Sequence, residues 1–385
     1  MRWPVFQRKD MAFPRPAAAG LRAGATELPA SYEARVEEAY GRNAIAQRAV
    51  RLVAEAAGHA PLVVAGADHP ALALLSGMLR ETIATHLLLH GNAYVVFGLD
   101  AAGRPAEAWP LRPERVQIEL DADGWPRAYL HKAGGRAQRF PADWDGERPP
   151  LLHLRMVNPL DDHLGLGCLG AAADAVALLN AAARWNRSLI ANAARPSGAL
   201  VHETKDGTPL SAEQFERLRE EVEGAFQGAV NAGRPMLLEG GLRWQPIALT
   251  PAELDFGRAR EAAAREVALA FGVPPMLLGL PGDATYANYA QANVALWRLT
   301  VLPLLGRITD GFSRQLSRWW PGLRIEPDLD AIPALWADRE ALWRHVAAAD
   351  FLSVDEKREL LGWGRRGRTG EAPGGADAAV AGDAA

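Results

Sequence analysis

The sequence predicts an α+β protein in which a small module is held between two long helices. Residues 171–194 contain no Gly or Pro and are dominated by Ala and Leu, the strongest helix formers. Residues 250–272 form a second helix with marked ends. Thr250-Pro251-Ala252-Glu253 is a capping box with proline at the first helical position, and Gly272 stands before Pro274. Short strand-like runs with hairpin turns between residues 92 and 157 predict an antiparallel sheet.

Taken in order, residues 1 to 30 are rich in Pro, Ala, Gly and Arg and read as an extended arm. A helix is expected over 32–58, with Val36, Tyr40, Ile45, Val50 and Val53 as its apolar positions, and another over 70–90, ended by Gly91. Strands over 92–99, 107–111, 116–120, 128–131 and 151–157 are expected to share one small sheet, with turns at 100–103, Asp123-Gly124 and Gly134-Gly135. The first long helix spans about 36 Å. Leu178, Ala182, Trp185 and Leu189 lie on one face, and Val176, Leu179 and Ala183 on the next. Only Asp174, Arg184 and Arg187 interrupt this surface, so the helix should be buried nearly all round.

The module begins with a strand at 198–202. Ser211 to Gln214 is a capping box opening a helix with Phe215, Leu218, Val222 and Phe226 on one side. Strands at 235–239 and 242–249 follow, hinged at Gly240-Gly241. On the second long helix Ala263, Val267 and Phe271 share a face among alternating charges. A Pro/Gly-rich loop over 274–283 leads into a helix over 285–316 bent at Pro303. A strand at 324–327 and helices at 338–348 and 354–361 complete the chain, the last capped by Ser353 with Glu356. Residues 364–385 read as a flexible tail.

At 385 residues, two to four substructures are expected. Hydrophobic residues at 49% and charged ones at 23% indicate a folded, soluble chain, and four lysines against 38 arginines point to a GC-rich genome. A net charge of −4 is the opposite of what a general nucleic-acid binder carries. Cys168 stands alone, which excludes a disulfide framework and a thiolate metal cluster and fits a cytosolic setting. The opening residues MRWPVFQRKDMAFPRP lack the apolar stretch of a signal peptide, and no uncharged run reaches the length of a membrane span.

A search for catalytic chemistry yields little. Gly165, Gly167 and Gly170 match G-x-G-x-x-G, yet seven residues separate them from the strand ending at Val157, and no acid follows at the required distance. A flexible lead into the long helix is the expected role. No P-loop motif or nucleophile elbow is present. His86 and His90 stand one helical turn apart without a third ligand nearby, so they are expected to be packing or interface residues. Asp161-Asp162-His163 could hold a cation or act as an acid–base pair, but beside Pro159 and Gly165 a solvated turn is favoured. Cys168 has no cationic neighbour and reads as a structural thiol. The twelve tryptophans, Trp319-Trp320 among them, read as packing residues. No enzyme activity, metal or cofactor is expected.

Several stretches together carry a resemblance: GNAYVV (91–96), AEAWPLRPERV (106–116), LLHLR (151–155), ARPSGALV (194–201), AGRPMLLEGGLRWQPI (232–247), REVALAFGVPPMLLG (265–279), ATYANYAQAN (284–293) and EPDLDAI (326–332). In this order, over roughly residues 90–362, the chain resembles phage portal proteins of the HK97 type. Its arginine-rich, lysine-poor composition would suit the portal of a gene transfer agent. The resemblance implies a non-enzymatic subunit of a dodecameric ring at one capsid vertex of a virion or phage-like particle assembled in the bacterial cytoplasm. The ring would surround a channel through which double-stranded DNA is packaged and ejected. Its implied partners are the major capsid protein, the terminase large subunit and a head–tail adaptor.

The resemblance also divides the chain. Residues 1–40 would be an N-terminal arm, 41–170 and 273–330 a mixed α/β wing, 171–198 and 251–272 the two stem helices, 199–250 a small α+β clip and 331–363 a short helical crown. The family's tunnel loop would fall on Leu278, Gly279, Leu280, Pro281, Gly282, Asp283, Ala284, Thr285, Tyr286, Ala287 and Asn288. Only Asp283 in it is charged, so it can touch DNA without gripping phosphate. The clip residues Glu213, Glu216, Arg217, Arg219, Glu220, Glu221 and Glu223 would form a docking surface. Arg184, Arg187, Arg258, Glu261, Arg265 and Glu266 on the stem would meet neighbouring subunits. Twelve copies at −4 each carry a formal −48, so such a ring repels DNA weakly and guides it sterically.

Overall fold

The computed structural model describes residues 31–64, 69–143, 150–191, 198–202, 211, 213–214, 216–217, 242–246, 256–281 and 286–362. The expected arm at 1–30, the strand at 235–239 with its glycine hinge, the capping box at 250–253 and the tail at 364–385 lie outside these residues. The chain forms two compact units, Met1–Arg42 with Ala173–Ala263, and Asn43–Ala172 with Ala264–Ala385.

Helix α1 (Tyr32–Val36) runs through a π turn to Gly41 and stops, so the helix expected over 32–58 is two helices. Asn43 makes the break. Its side chain accepts from the Ile45 and Ala46 N–H groups at 3.1 and 3.0 Å and starts α2 (Ala44–His59), a use that suits asparagine better than a helix interior. The same correction applies to 70–90. After β1 (Leu62–Val64), α3 (Pro70–Leu74) ends at Leu75. Ser76 then caps α4 (Gly77–His90) by accepting from the Leu79 N–H. Gly91, at φ 85°, terminates α4 as expected.

The strands are β2 (Asn92–Leu99), β3 (Pro105–Leu111), β4 (Val116–Leu120), β5 (Pro126–Ala133), β6 (Arg136–Pro141) and β7 (Leu151–Arg155). They form two three-stranded antiparallel sheets, β3-β2-β7 and β4-β5-β6, where one was expected. Pro113–Arg115 makes a single 3-10 turn that separates β3 from β4. Tyr94, Val116, Phe140 and Leu151 then pack the sheets together. On β2, Ala93, Val95 and Phe97 are buried on the other face, Phe97 lying edge-on to Phe312. With both faces covered, β2 is the central strand of the unit.

The remaining elements are α5 (Ala173–Ala191), β8 (Gly198–His202), β9 (Leu242–Pro246), α6 (Phe256–Ala270), α7 (Tyr286–Leu296), α8 (Leu302–Leu316), β10 (Ile325–Pro327), α9 (Trp336–Ala348) and α10 (Val354–Leu360). Helices α2, α4 and α8 supply the core residues Val50, Val53, Ile83, Leu87, Leu305, Ile308 and Phe312. Each such side chain contributes roughly 1.5–3 kcal/mol by burial. Strand β10 pairs antiparallel with β1, from Leu62 opposite Pro327 to Val64 opposite Ile325. Where a bend was expected at Pro303, a π turn over Trp297–Val301 joins α7 to α8. Proline lacks an N–H and its ring crowds the carbonyl one turn back, so the wider turn just before it relieves both. Ser353 and Glu356 make the expected reciprocal capping bonds at 3.3 and 2.8 Å.

Residues 165–168 are no flexible lead. They cross beneath the end of α4 at backbone contact: a Cβ on Gly165 would overlap the Gly91 carbonyl oxygen, and one on Gly167 would stand 2.5 Å from the Leu89 oxygen. Cys168 N–H donates to Leu88 O at 2.8 Å, and Met156 N–H to Gly91 O at 2.7 Å. The buried Asn92 pins the crossing. Its Oδ1 accepts from Gly165 N–H at 2.7 Å and faces His153 Nε2 at 3.0 Å, while Nδ2 donates to Gly165 O at 3.0 Å and faces His90 Nδ1 at 3.1 Å. Gly165 fixes which end of the amide is oxygen, so His153 carries its proton on Nε2 and His90 accepts on Nδ1. Burial, with lesser repulsion from Arg155 and His90, lowers the His153 pKa to about 3. Burial, then His90 and Arg112, lowers that of His86 to about 4.

Both histidines fold neutral, so below the ordinary value of 6.5 the unfolded chain takes up protons that the folded one refuses. Thermal midpoints should therefore be flat above about pH 6.5 and fall steadily from there towards pH 3. His153→Gln should lower the midpoint at neutral pH yet flatten that slope. An unchanged slope would contradict the assignment.

Candidate functional site

The two long helices and the segments they carry are the parts the sequence singles out. Helix α5 keeps Ala175, Val176, Leu179 and Ala182 buried, but Leu178 is 42% exposed, and Ala183, Arg184 and Arg187 face solvent. The expectation of burial nearly all round is not met: among the described residues one side of the rod is exposed. Asn180 Nδ2 donates to the Glu38 carbonyl at 2.9 Å, and Arg184 pairs with the Glu38 carboxylate at 3.6 Å.

Helix α6 buries Ala263, Val267 and Phe271, the face expected from their spacing, together with Ala264 and Ala268. Leu269, on the other side, is 81% exposed. Arg258, Arg265 and Glu266 are exposed and Glu261 half-buried. Gly272, at φ 65°, closes the helix: its N–H donates to Leu269 O at 3.0 Å and the Val273 N–H to Ala268 O at 2.8 Å, the double bond of a Schellman end. Thr300 Oγ1, from the π turn, donates to Gly272 O at 2.6 Å.

Beyond Gly272, Pro275–Leu278 form a 3-10 turn that ends at Gly279 in the left-handed region. Leu278 and Leu280 are half-buried and Pro281 is exposed. Arg265 Nη2 donates to the Pro281 carbonyl at 2.8 Å, so this arginine braces the loop of its own chain. Gly282, Asp283, Ala284 and Thr285 lie outside the described residues, while Tyr286, Ala287 and Asn288 open α7.

In the module, β8 and β9 pair antiparallel from Gly198 opposite Pro246 to His202 opposite Leu242. Ser211 Oγ accepts from the Gln214 N–H at 3.3 Å and the Gln214 side chain accepts from the Ser211 N–H at 3.0 Å, as the capping box requires. Glu213, Glu216 and Arg217 are exposed and helical. Phe215, Leu218, Arg219, Glu220, Glu221, Val222, Glu223 and Phe226 lie outside the described residues.

The enzyme-like motifs resolve differently. The amides of Gly165 and Cys168, which a phosphate would need, are already bonded to Asn92 and Leu88. Asp161 accepts from the His163 and Leu164 N–H groups at 2.7 and 2.8 Å, a solvated turn as expected, and these bonds lower its pKa. Burial raises the Cys168 thiol. Among the described residues no group of three or more His, Cys, Asp or Glu gathers to hold a metal, and no helix is long and apolar enough to cross a membrane. Sequence reasoning missed the Asn92 clamp and the ordered loop at 156–166; the three glycines at 91, 165 and 167 were the available signal.

The chain belongs to the phage portal protein family, whose pattern it matches over residues 44–362. A solved chain in the virion of a native gene transfer agent particle is 44% identical, with a TM-score of 0.67, covering 88% of this chain and 95% of that one. A chain in the neck of the native gene transfer agent particle, computed with twelvefold symmetry, is 43% identical with a TM-score of 0.66 over the same shares. The portal protein of Enterobacteria phage HK97 is 25% identical over 72% of this chain and 64% of its own. The protein is a portal, or head–tail connector, subunit of α+β fold.

A Cβ at Gly272 would stand 2.7 Å from Thr300 Oγ1 on a left-handed backbone. Gly272→Ala should cost about 1–3 kcal/mol, and Gly165→Ala about 2–3 kcal/mol or more, because only backbone lies in its way. Thermal unfolding measures both.

Proposed function

We propose that twelve copies of this chain form a ring at one capsid vertex, with α5 and α6 as a stem that lines a channel for double-stranded DNA. The observation that carries this reading is the uncovered side of each rod. Leu178 and Ala183 on α5 and Leu269 on α6 face solvent in the single chain, which suits rods whose remaining cover comes from neighbouring copies. The likeness to a chain in a neck of twelvefold symmetry supports the same number.

A conduit must let a polyanion slide. Each phosphate bonded to Arg or Lys adds a salt-dependent attraction that would hold the DNA in place. The loop 278–288 carries Asp283 as its one charged residue, and Arg265 spends a donor on the Pro281 carbonyl. Such a loop touches the duplex without gripping it. The exposed Glu213, Glu216 and Arg217, with Arg219, Glu220, Glu221 and Glu223, form the docking surface of the clip for the terminase large subunit and later for a head–tail adaptor. The wing meets the major capsid protein, and Arg187, Arg258, Glu261 and Glu266 meet neighbouring stems.

The purified chain should appear as rings by negative-stain microscopy, with a solution mass far above 41.4 kDa. A monomer at all concentrations would overturn the ring. Replacing Leu280 and Ala284 by charged residues should reduce packaged DNA several-fold in a packaging assay while leaving ring assembly intact; unchanged packaging would move the channel loop elsewhere.

A further inference from the structure

The loop at 156–166, around the solvated turn of Asp161 and Asp162, also presents a cluster of apolar side chains to water. Leu160 is 90% exposed, Val157 75%, Leu166 53% and Leu164 38%, and Pro159 is exposed as well. Single apolar residues on a surface are ordinary, but four of them within ten residues are not. The loop is also held firmly. Asn158 Oδ1 accepts from the Leu160 N–H at 3.0 Å, and Asn158 Nδ2 donates to Leu164 O at 2.9 Å. Asp161 Oδ1 takes the two N–H groups of His163 and Leu164, Arg155 Nη1 donates to the Asp162 carbonyl, and Arg307 Nη1 donates to Arg155 O at 3.1 Å. At its far end Gly165 sits in the Asn92 clamp. The polar side chains of Asn158 and Asp161 thus bond the loop's own backbone, and the leucines and valine are left pointing outward. Ordering eleven residues costs backbone entropy, and these apolar side chains remain exposed among the described residues.

We propose that this loop is a side-to-side contact between adjacent wings, its occupant a second copy of this chain. The inference rests on the ring reading given above and adds the surface that closes the ring. A second copy fits better than a later-docking partner for a physical reason. Permanent interfaces between subunits are the apolar ones, because they are never exposed after assembly, whereas a surface waiting for a transient partner must stay soluble meanwhile. A twelvefold neck gives each subunit two such permanent neighbours, through head-to-tail contacts that close on themselves.

The test uses the full chain with Val157→Asp and Leu160→Asp together. Both side chains are exposed in the subunit, so its fold should persist, as circular dichroism and the thermal midpoint will report. Ring recovery should fall at least tenfold, leaving a folded species near 41.4 kDa by light scattering. As a second readout, Leu160→Cys on a Cys168→Ala background should react with a maleimide at least tenfold more slowly in the ring than in the dissociated subunit. Rings at wild-type yield from the aspartate variant, or equal labelling in both forms, would overturn the proposal, as would protection that appears only after other neck proteins are added. A wild-type chain that forms no rings would instead sink the ring reading itself.

Discussion

The wing depends on one backbone crossing. The chain leaving β7 passes under the end of α4 so closely that Gly91, Gly165 and Gly167 admit no side chain, and Asn92 ties the crossing strand to both sheet and helix. Hydrogen bonds with His90, His153 and Gly165 converge on that one buried amide. Without it, the Gly165 N–H and carbonyl would lie buried and unpaired, at a cost comparable to several lost hydrogen bonds.

Local chemistry was legible. Strand β2 was read residue for residue because its burial on both faces leaves a continuous apolar run, and Gly91, Ser211 and Ser353 announced helix ends through side chains and neighbours close in sequence. Non-local structure was not. The strand at 324–327 was expected and is β10, but its three-residue partner β1 and their pairing across more than half the chain were not, because β1 is too short to show a period. The breaks at Asn43 and Ser76 were written in capping residues but masked by the apolar spacing that continues through them. Glycines at 165 and 167 looked like looseness because nothing in the sequence states that another backbone lies where their side chains would be. The exposed side of α5 shows another limit: an alanine-rich composition led to an expectation of burial nearly all round, yet Leu178 and Ala183 are exposed.

Several arginines are paired within their own chain. Arg184 faces Glu38, Arg265 bonds a carbonyl, and Arg298 meets Asp338 at 2.6 Å. These pairs are largely exposed and individually worth little, about 0–1 kcal/mol.

The π turn before Pro303 inserts one residue into an otherwise continuous helix. One residue is about 100° of rotation in an α-helix. The side chains of α7 are therefore set a quarter turn and more out of phase with those of α8, so Tyr289 is aimed by the surplus residue rather than by the body of the helix. Removing a residue from 297–301 would restore a regular spiral and swing every upstream side chain to a new azimuth, with no change in their chemistry.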